Sequence, residues 1–346
     1  MAWKAKAKPH ARRAGSGCLL AIVFSLVSFN QASADQWGWN YLIEKLVADG
    51  VDRQRAVAVF DDDRVPSFSG LEFGTETARE PRSLYRRFLR ASTVAAARRC
   101  RASHAEAFEK ASERYGVSAD AVAAIFFVES SCGGNTGSTR VFYRLARLAM
   151  ANEPQNLQRN LDRYADGDGR LDPVIESKLR GRALYLEETF YPEVRAMFQV
   201  ADRMRVDPLE IRGSGSGAFG YPQFLPSSYL AYGVDADGDG RVSLYDVDDA
   251  AASCAHYLSS YGWQRDASAA QRRAAVWQYN HSQAYVDAVL QLAAQIGKKN
   301  GPLVTQSKRR TVHGHAATKA SAKHKRQQPH HTQPSSHSKT RASSQR

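Results

Sequence analysis

Glu129 is the first residue whose position in the sequence suggests chemistry. It follows the apolar segment AIFFV, residues 124–128, and precedes two serines and a cysteine. Burial against this segment would disfavour the charged carboxylate and raise the pKa of Glu129, which would let it act as a general acid near neutral pH. The alternative is a glutamate at a helix end that turns to solvent or pairs with an arginine, and for an isolated glutamate that alternative is the more common one.

No serine–histidine–aspartate or cysteine–histidine pattern competes clearly with Glu129. Cys132 has no histidine near it in the sequence, and His281 lies far along the chain. A carboxylate is therefore the leading candidate for catalysis.

The glycine-rich segment GSGAFG, residues 215–220, has the spacing of a dinucleotide-binding loop but not its context. Such a loop follows a strand and opens a helix, whereas Pro222 and Pro226 follow here. We therefore reject nucleotide binding and expect a loop whose backbone approaches a ligand. Tyr221 and Gln223 beside it would suit a sugar, although an ordinary glycine-rich connection is the better explanation of this stretch when it is taken alone.

The segment DADGDGRVSLYDVDD, residues 235–249, has the pattern of an EF-hand-like calcium loop. Its candidate oxygen donors are Asp235, Asp237, Asp239 and the Arg241 carbonyl. Asp246 holds the twelfth position, where a bidentate glutamate is usual, so Asp249 in a lengthened loop is the other candidate. Hard oxygen donors favour Ca²⁺, and a solvated acidic turn is the alternative. The similar segment at 164–172 has Tyr164 at the first ligand position, and we expect only a turn there.

The elements that must position these residues are mainly helices. Residues 118–130 begin with a serine cap and are apolar nearly all round, which predicts a buried helix that carries Glu129 at its end. Helical spacing recurs at 39–51, 104–117, 246–263 and 282–297, each ending near a glycine. Strand signals are few and short, so we predict a mainly α protein with a small β element.

The two ends of the chain carry its positive charge. The net charge is +13, but residues 35–296 hold 31 basic and 35 acidic residues, a balance of −4. The high net charge is therefore poor support for nucleic-acid binding by the folded part, and no specific nucleic-acid partner is predicted. Residues 1–34 have the basic start, short apolar run and small residues of a secretory signal. We expect an exported, periplasmic protein without a transmembrane segment after cleavage.

Residues 298–346 form a basic, histidine-rich tail with almost no large apolar side chain. This composition predicts disorder, and the histidine spacing fits no closed metal site. The charge suggests salt-sensitive adhesion to an anionic envelope polymer. The predicted organisation is thus a signal peptide at 1–34, a catalytic domain at 35–297 and this tail.

Three cysteines remain after the signal segment: Cys100, Cys132 and Cys254. An oxidising compartment permits one disulfide and leaves one thiol. The sequence does not identify the pair, and three buried unpaired cysteines fit equally well.

Taken together, these segments resemble the membrane-bound lytic transglycosylase B family of peptidoglycan-cleaving enzymes. The resemblance covers residues 37–296, and it is carried by ERYGV (113–117), VES with GSTR (128–140), LARLA (145–149), IRGSGSGAFGYPQFLPSSYLAYGVDADGDG (211–240), DAAASCAHYLSSYGW (249–263) and YNHSQAYVDAVLQLA (279–293). It implies an α+β lysozyme-like core with extra helices and a calcium loop.

The resemblance implies that Glu129 is a single catalytic acid and base. It would protonate the oxygen that links N-acetylmuramic acid to N-acetylglucosamine in peptidoglycan glycan strands. It would then accept the proton of the muramoyl C6 hydroxyl, which attacks the anomeric carbon and gives a 1,6-anhydromuramoyl end. No cofactor is required for this chemistry.

The resemblance also assigns roles to other residues by position. Those that would line the cleft or contact a sugar are Ser214, Tyr221, Gln223, Tyr279, Asn280 and Tyr285, with core packing as the alternative for each tyrosine. Those that would hold a structural Ca²⁺ are Asp235, Asp237, Asp239, Arg241 through its carbonyl and Asp249, which is preferred over Asp246.

Two departures from the family pattern keep alternatives open. Cys132 replaces an aromatic residue that is usual three positions after the acid, and Tyr143 stands where an aspartate is common. A catalytically weak or inactive wall-binding protein is one alternative. A lysozyme-type hydrolase that uses the same cleft is the other.

Overall fold

The computed structural model describes residues 38–76 and 83–298. The predicted signal segment and all of the predicted tail except Lys298 lie outside the described residues. Within the described ranges, no helix has both the length and the apolar character that a membrane crossing requires.

Helices make up most of the described chain. The first half contains α1 (Asn40–Ala48), α2 (Arg53–Phe60), α3 (Ser83–Arg86), α4 (Ala91–Ser103), α5 (Ala105–Tyr115), α6 (Ala119–Ser130), α7 (Val141–Ala149) and α8 (Pro154–Asp162). The second half contains α9 (Pro173–Met204), α10 (Pro226–Tyr232), α11 (Val247–Ser260), α12 (Ala269–Tyr279) and α13 (Gln283–Ile296). Short 3-10 turns cover Arg87–Leu89 and Met150–Asn152. The prediction of a mainly α protein is confirmed.

Two short strands form the small β element. Strand β1 (Thr139–Arg140) pairs antiparallel with β2 (Arg212–Gly213), and Thr139 lies opposite Gly213. The sheet joins the chain that follows α6 to the glycine-rich segment, although the two are more than 70 residues apart in sequence.

The ends of several helices follow from local side-chain chemistry. The Asp246 carboxylate accepts backbone N–H groups in the first turn of α11, and Ser268 and Gln271 form a capping box at the start of α12. Helix α5 ends at Gly116, which has a left-handed φ of 70°. Ser118 occupies the N-cap position of α6, but its hydroxyl makes no capping hydrogen bond, so that detail of the prediction was wrong.

Helix α6 lies in the centre of the hydrophobic core. Most of its side chains are buried, and it packs against α4, α5, α11 and α13. A helix that is apolar nearly all round is stable only when other elements cover every face. The core therefore fixes the end of α6, where Glu129 stands.

Two buried asparagines of α8 bind an extended segment that precedes α3. Asn156 accepts the N–H of Leu71 at 2.7 Å and donates to Ala151 O at 2.9 Å. Asn160 accepts the N–H of Phe73 at 3.1 Å and donates to Leu71 O at 2.8 Å. These side chains satisfy backbone groups that a neighbouring strand would satisfy in a sheet.

Replacing Asn156 with alanine should lower the free energy of unfolding by about 1–3 kcal/mol, because the buried Leu71 N–H would lose its acceptor. Urea denaturation measures this change. Gln158→Ala on the same helix is the control, since Gln158 is exposed and its side chain donates to Asp162 on α8. Its effect should stay within about 0.5 kcal/mol. Equal effects of the two substitutions would show that the Asn156 hydrogen bonds do not anchor the segment.

Candidate active site

Glu129 lies half-buried in the last turn of α6. Its Oε1 atom accepts a hydrogen bond from the hydroxyl of Tyr285 at 2.6 Å. Tyr285 comes from α13 and is 1% exposed, so this contact joins two core helices. Tyr285 therefore contacts the acid directly, and its predicted role as a wall of the cleft stays a prediction.

The pKa of Tyr285 is raised well above its ordinary value. Burial is the largest cause, and the neighbouring Glu129 carboxylate adds to it through its charge and hydrogen bond. The phenol therefore stays neutral and donates a hydrogen bond to the carboxylate. This donation favours the ionised form of Glu129 and opposes the desolvation that the sequence indicates, so the raised pKa of Glu129 stays a prediction.

Tyr279 is the last residue of α12 and lies beside Tyr285, and Asn280 follows it in the chain. The Tyr279 ring is nearly parallel to that of Tyr285, with centroids 6.4 Å apart, and its hydroxyl donates to Pro222 O. Burial is the main cause that raises the pKa of Tyr279 well above its usual range. Half-buried Asn280 caps α12 and donates its backbone N–H to Val276 O at 3.2 Å.

The chain reverses directly after the acid. Ser131, Cys132 and Gly133 have φ angles of 53°, 63° and 78°, three left-handed residues in succession. The N–H groups of Ser131 and Cys132 donate to Phe127 O at 3.1 Å and Phe126 O at 3.0 Å, which closes the end of α6. The non-glycine residues cost roughly 1–2 kcal/mol each in this conformation.

The reversed segment, residues 131–137, is named the post-acid loop, and Tyr221 packs against its middle. A Cβ atom on Gly133 would lie 2.3 Å from the Tyr221 ring. The Tyr221 ring also stacks on Phe126 of α6, with centroids 5.3 Å apart. Only a residue without a side chain fits between the reversal and this tyrosine.

Gln223 and Ser214 meet the far end of the post-acid loop. Gln223 Nε2 donates to Thr136 O at 3.0 Å and Gly220 O at 2.8 Å. A Cβ atom on Gly137 would lie 2.6 Å from Ser214 N. Both predicted cleft residues therefore contact the post-acid loop, which begins directly after α6.

The Ser214 hydroxyl shapes the glycine-rich segment. Its Oγ accepts the N–H groups of Ser216 at 3.3 Å and Ala218 at 3.2 Å, and Ser214 N donates to Ala218 O at 2.7 Å. This tight turn explains the density of glycine without a bound nucleotide. Contact of Ser214 with a sugar stays a prediction.

The structure pairs Cys100 with Cys132 in a disulfide and leaves Cys254 as a buried thiol. Burial raises the pKa of the Cys254 thiol, which keeps it protonated. The sequence left this pairing open because it depends on how α4 packs against the end of α6. The bond attaches the post-acid loop to a core helix.

The predicted calcium loop brings its acidic residues together. Carboxylate oxygens of Asp235, Asp237 and Asp239 lie within 4.8 Å of one another. The Asp235 carboxylate accepts the N–H groups of Gly238 at 2.7 Å and Gly240 at 2.9 Å. The Arg241 side chain lies 3.2 Å from Asp239 Oδ2 and partly balances the charge.

Asp249 and Asp246 both reach this loop from the start of α11. Each has an oxygen within the same 4.8 Å range of Asp237. The two Asp249 oxygens accept N–H groups from Ala236 and Ser243, both at 2.7 Å, while Asp246 caps the helix. Burial raises the pKa of Asp249, against the effect of those backbone hydrogen bonds. The preference for Asp249 as ligand stays a prediction.

The lookalike segment at 164–172 is a turn. Asp166 Oδ1 accepts the N–H groups of Asp168 at 3.0 Å and Arg170 at 2.8 Å. Across the described ranges, the groups of acidic side chains close enough to share a cation do not include Asp166 or Asp168.

Replacing Gly133 with alanine should destabilise the protein more than the same change at Gly262. Both glycines are left-handed, with φ of 78° and 90°, but a Cβ on Gly262 would meet nothing within 4 Å. The clash with Tyr221 should add about 1–3 kcal/mol of destabilisation at Gly133. Urea denaturation of the two variants measures the difference, and equal losses would contradict this packing of Tyr221.

Comparison with known proteins places the chain among peptidoglycan-related sequences. The family model described as Transglycosylase SLT domain matches residues 33–274. Membrane-bound lytic murein transglycosylase B of Escherichia coli (strain K12) is 34% identical over 158 residues. That match spans 46% of this chain and 35% of the relative, so the chain matches about a third of the length of that protein.

Solved structures share the fold at lower identity. The E. coli lytic transglycosylase SLT35 in complex with calcium has a TM-score of 0.56 and 22% identity, over 76% of this chain and 93% of that chain. SltB3 from Pseudomonas aeruginosa in complex with NAG-anhNAM-pentapeptide has a TM-score of 0.55 and 22% identity, over 75% and 78% of the two chains. The lysozyme-like, mainly helical fold class is thereby confirmed.

Proposed function

Because this chain belongs to the transglycosylase SLT domain family, we propose that it is a peptidoglycan lytic transglycosylase with Glu129 as its single acid and base. The observation that carries the proposal is the hydrogen bond from the neutral Tyr285 hydroxyl to a half-buried carboxyl at the end of the core helix. The solved relative that holds NAG-anhNAM-pentapeptide supports the substrate class, because its ligand contains an anhydro sugar.

The first step is the transfer of the Glu129 proton to the glycosidic oxygen. The bond from the muramoyl anomeric carbon to that oxygen breaks, and N-acetylglucosamine leaves as an alcohol. Positive charge develops on the muramoyl ring, and the newly formed carboxylate stabilises it. The Tyr285 hydroxyl donates to Oε1 and so favours this carboxylate.

The second step returns the proton to Glu129. The muramoyl C6 hydroxyl attacks the anomeric carbon while its proton passes to the carboxylate, and the 1,6-anhydro ring forms without water. One carboxyl is sufficient because the nucleophile belongs to the substrate, whereas most glycosidases need a second carboxylate for a water or a covalent intermediate.

Replacing Glu129 with glutamine should lower turnover of purified peptidoglycan by about a thousandfold, because glutamine can neither give nor accept the proton. Mass spectrometry of the soluble products measures the reaction, and the anhydro product is lighter by one water than a hydrolysis product. Glu188→Gln, on the exposed face of α9, is the matched control and should keep full activity.

The outcomes separate the three activities. Anhydromuramoyl products from the wild type alone support the proposal. Reducing-end products would identify a lysozyme-type hydrolase, and binding without products would identify a wall-binding protein. Turnover by Glu129→Gln at the control rate would remove Glu129 from the mechanism.

We also propose that residues 235–249 bind a structural Ca²⁺. The donor set fits this ion, because carboxylate and carbonyl oxygens are its preferred ligands. Ca²⁺ takes about six to eight oxygen ligands, and a carboxylate can supply one or two of them. The residues that would hold the ion are Asp235, Asp237, Asp239, Arg241 through its carbonyl and Asp249. The calcium complex of the similar E. coli lytic transglycosylase SLT35 supports calcium as the ion. The ion would neutralise the carboxylates and has no part in the proton transfers.

Asp237→Ala should abolish the stabilisation of the protein by calcium, because Asp237 belongs to both groups of facing carboxylates. Calcium at 100 times its dissociation constant should stabilise the wild type by about 2.7 kcal/mol. Thermal unfolding in calcium and in chelator measures the effect. Asp168→Ala in the lookalike turn is the control and should leave the calcium response unchanged. A full response of Asp237→Ala would rule out the site.

We propose that the protein acts in the periplasm. The Cys100–Cys132 disulfide supports an oxidising compartment, because disulfides persist outside the reducing cytosol. Adhesion of the basic tail to anionic envelope polymers stays a prediction, since all but one of its residues lie outside the described ranges.

A further inference from the structure

We propose that Cys100 and Cys132 are positioning residues for Glu129, and that full turnover requires their disulfide to be closed. This inference rests on the proposed function and concerns how its acid is held. Cys132 is three positions after Glu129, and the bond joins it to Cys100 on α4, 32 residues earlier in sequence.

Helix α4 provides a fixed point for this bond. Cys100 is 5% exposed, and α4 packs against both α6 and α13. Arg98 of α4 donates from Nη2 to Gln295 O of α13 at 2.7 Å, and Arg101 Nε lies 3.2 Å from Asp120 Oδ1 of α6. The anchor is therefore tied to the helix that carries Glu129 and to the helix that carries Tyr285.

The bond closes a ring of contacts around the carboxyl group. One path runs from Cys132 back through Ser131 and Ser130 to Glu129. The other runs from Cys100 through α4 and α13 to Tyr285, whose hydroxyl meets Glu129 Oε1 at 2.6 Å. Opening the disulfide removes a covalent link that joins these two paths in addition to the backbone.

The post-acid loop needs this tie because its backbone conformation is disfavoured. Ser131 and Cys132 are left-handed without being glycine, with φ of 53° and 63°. Without the disulfide, the loop would lower its free energy by relaxing to other φ values, and the contacts that it makes would change as well. Those contacts include the Tyr221 ring at Gly133 and the Gln223 side chain at Thr136 O.

The acid is sensitive to such movement because proton transfer requires close alignment. A misplacement of about 1 Å can cost on the order of a hundredfold in rate. A shift of the post-acid loop also weakens the hydrogen bond from Tyr285, which favours the carboxylate. Opening the disulfide should therefore lower kcat and move the alkaline limb of its pH profile to higher pH.

The experiment compares the full chain in its oxidised and reduced forms. A dithiol reductant opens the bond: it transfers two electrons and two protons, so that Cys100 and Cys132 become thiols while the reductant becomes a disulfide. We expect kcat on a soluble peptidoglycan fragment to fall by about tenfold or more. KM should change less than twofold, and reoxidation should restore kcat.

The variant Cys100→Ser/Cys132→Ser is the matched control. It should show the same loss of kcat and the same shifted pH profile, and it should not respond to the dithiol. All rates are measured well below the melting temperature, and circular dichroism confirms that each form is folded. Cys100→Ala/Cys132→Ala serves as a second variant if the polar serine disturbs the core.

Three results would overturn the inference. Folded, reduced protein with unchanged kcat and pH profile would show that the bond contributes stability alone. A loss confined to KM would place its effect on binding instead of on the acid. Unfolding of the reduced protein and of both variants would show that the bond holds the whole fold. Oxidised wild type without anhydro products would instead reject the proposed function.

Discussion

The candidate site depends on the reversal of the chain directly after Glu129. Three left-handed residues turn the chain back from the end of α6, and the post-acid loop contacts both α4 and the chain that follows the glycine-rich segment. Cys132 is bonded to α4, Gly133 touches Tyr221, and Thr136 accepts from Gln223. If α6 had continued in helical conformation, Glu129 would lie inside a helix. The loop residues Cys132, Gly133 and Thr136 could then not make these contacts next to the acid.

The surroundings of Glu129 combine two opposite electrostatic effects. Partial burial at the apolar end of α6 disfavours a charge on the carboxyl, while the hydrogen bond from the Tyr285 hydroxyl favours the ionised form. A group that must first give a proton and then accept one needs both its protonated and its ionised form to be accessible. Burial of Tyr285 matters here, because it raises the pKa of the phenol. The hydroxyl therefore keeps its proton and remains a hydrogen-bond donor to Glu129.

Local signals explain which parts of the fold were predictable. The ends of α5, α11 and α13 follow from caps and glycines close in sequence, and the acidic loop follows from a spacing of a few residues. The disulfide, the Tyr285 hydrogen bond and the segment held by the α8 asparagines were not predictable from such signals. Each joins residues 32 to 156 positions apart, so it depends on packing that local pattern does not encode.

The acidic loop and the candidate site are mechanically connected through Leu244. Tyr221 donates its backbone N–H to Leu244 O at 2.8 Å, and a Cβ on Gly220 would lie 2.4 Å from Leu244 Cβ. Leu244 is fully buried and lies inside the acidic loop between Asp239 and Asp249. An ion that orders this loop therefore also fixes the backbone beneath the Tyr221 ring. The disulfide holds the post-acid loop, which contains the Gly133 partner of the same ring, so an ion and the disulfide would both stabilise the contact between Gly133 and Tyr221.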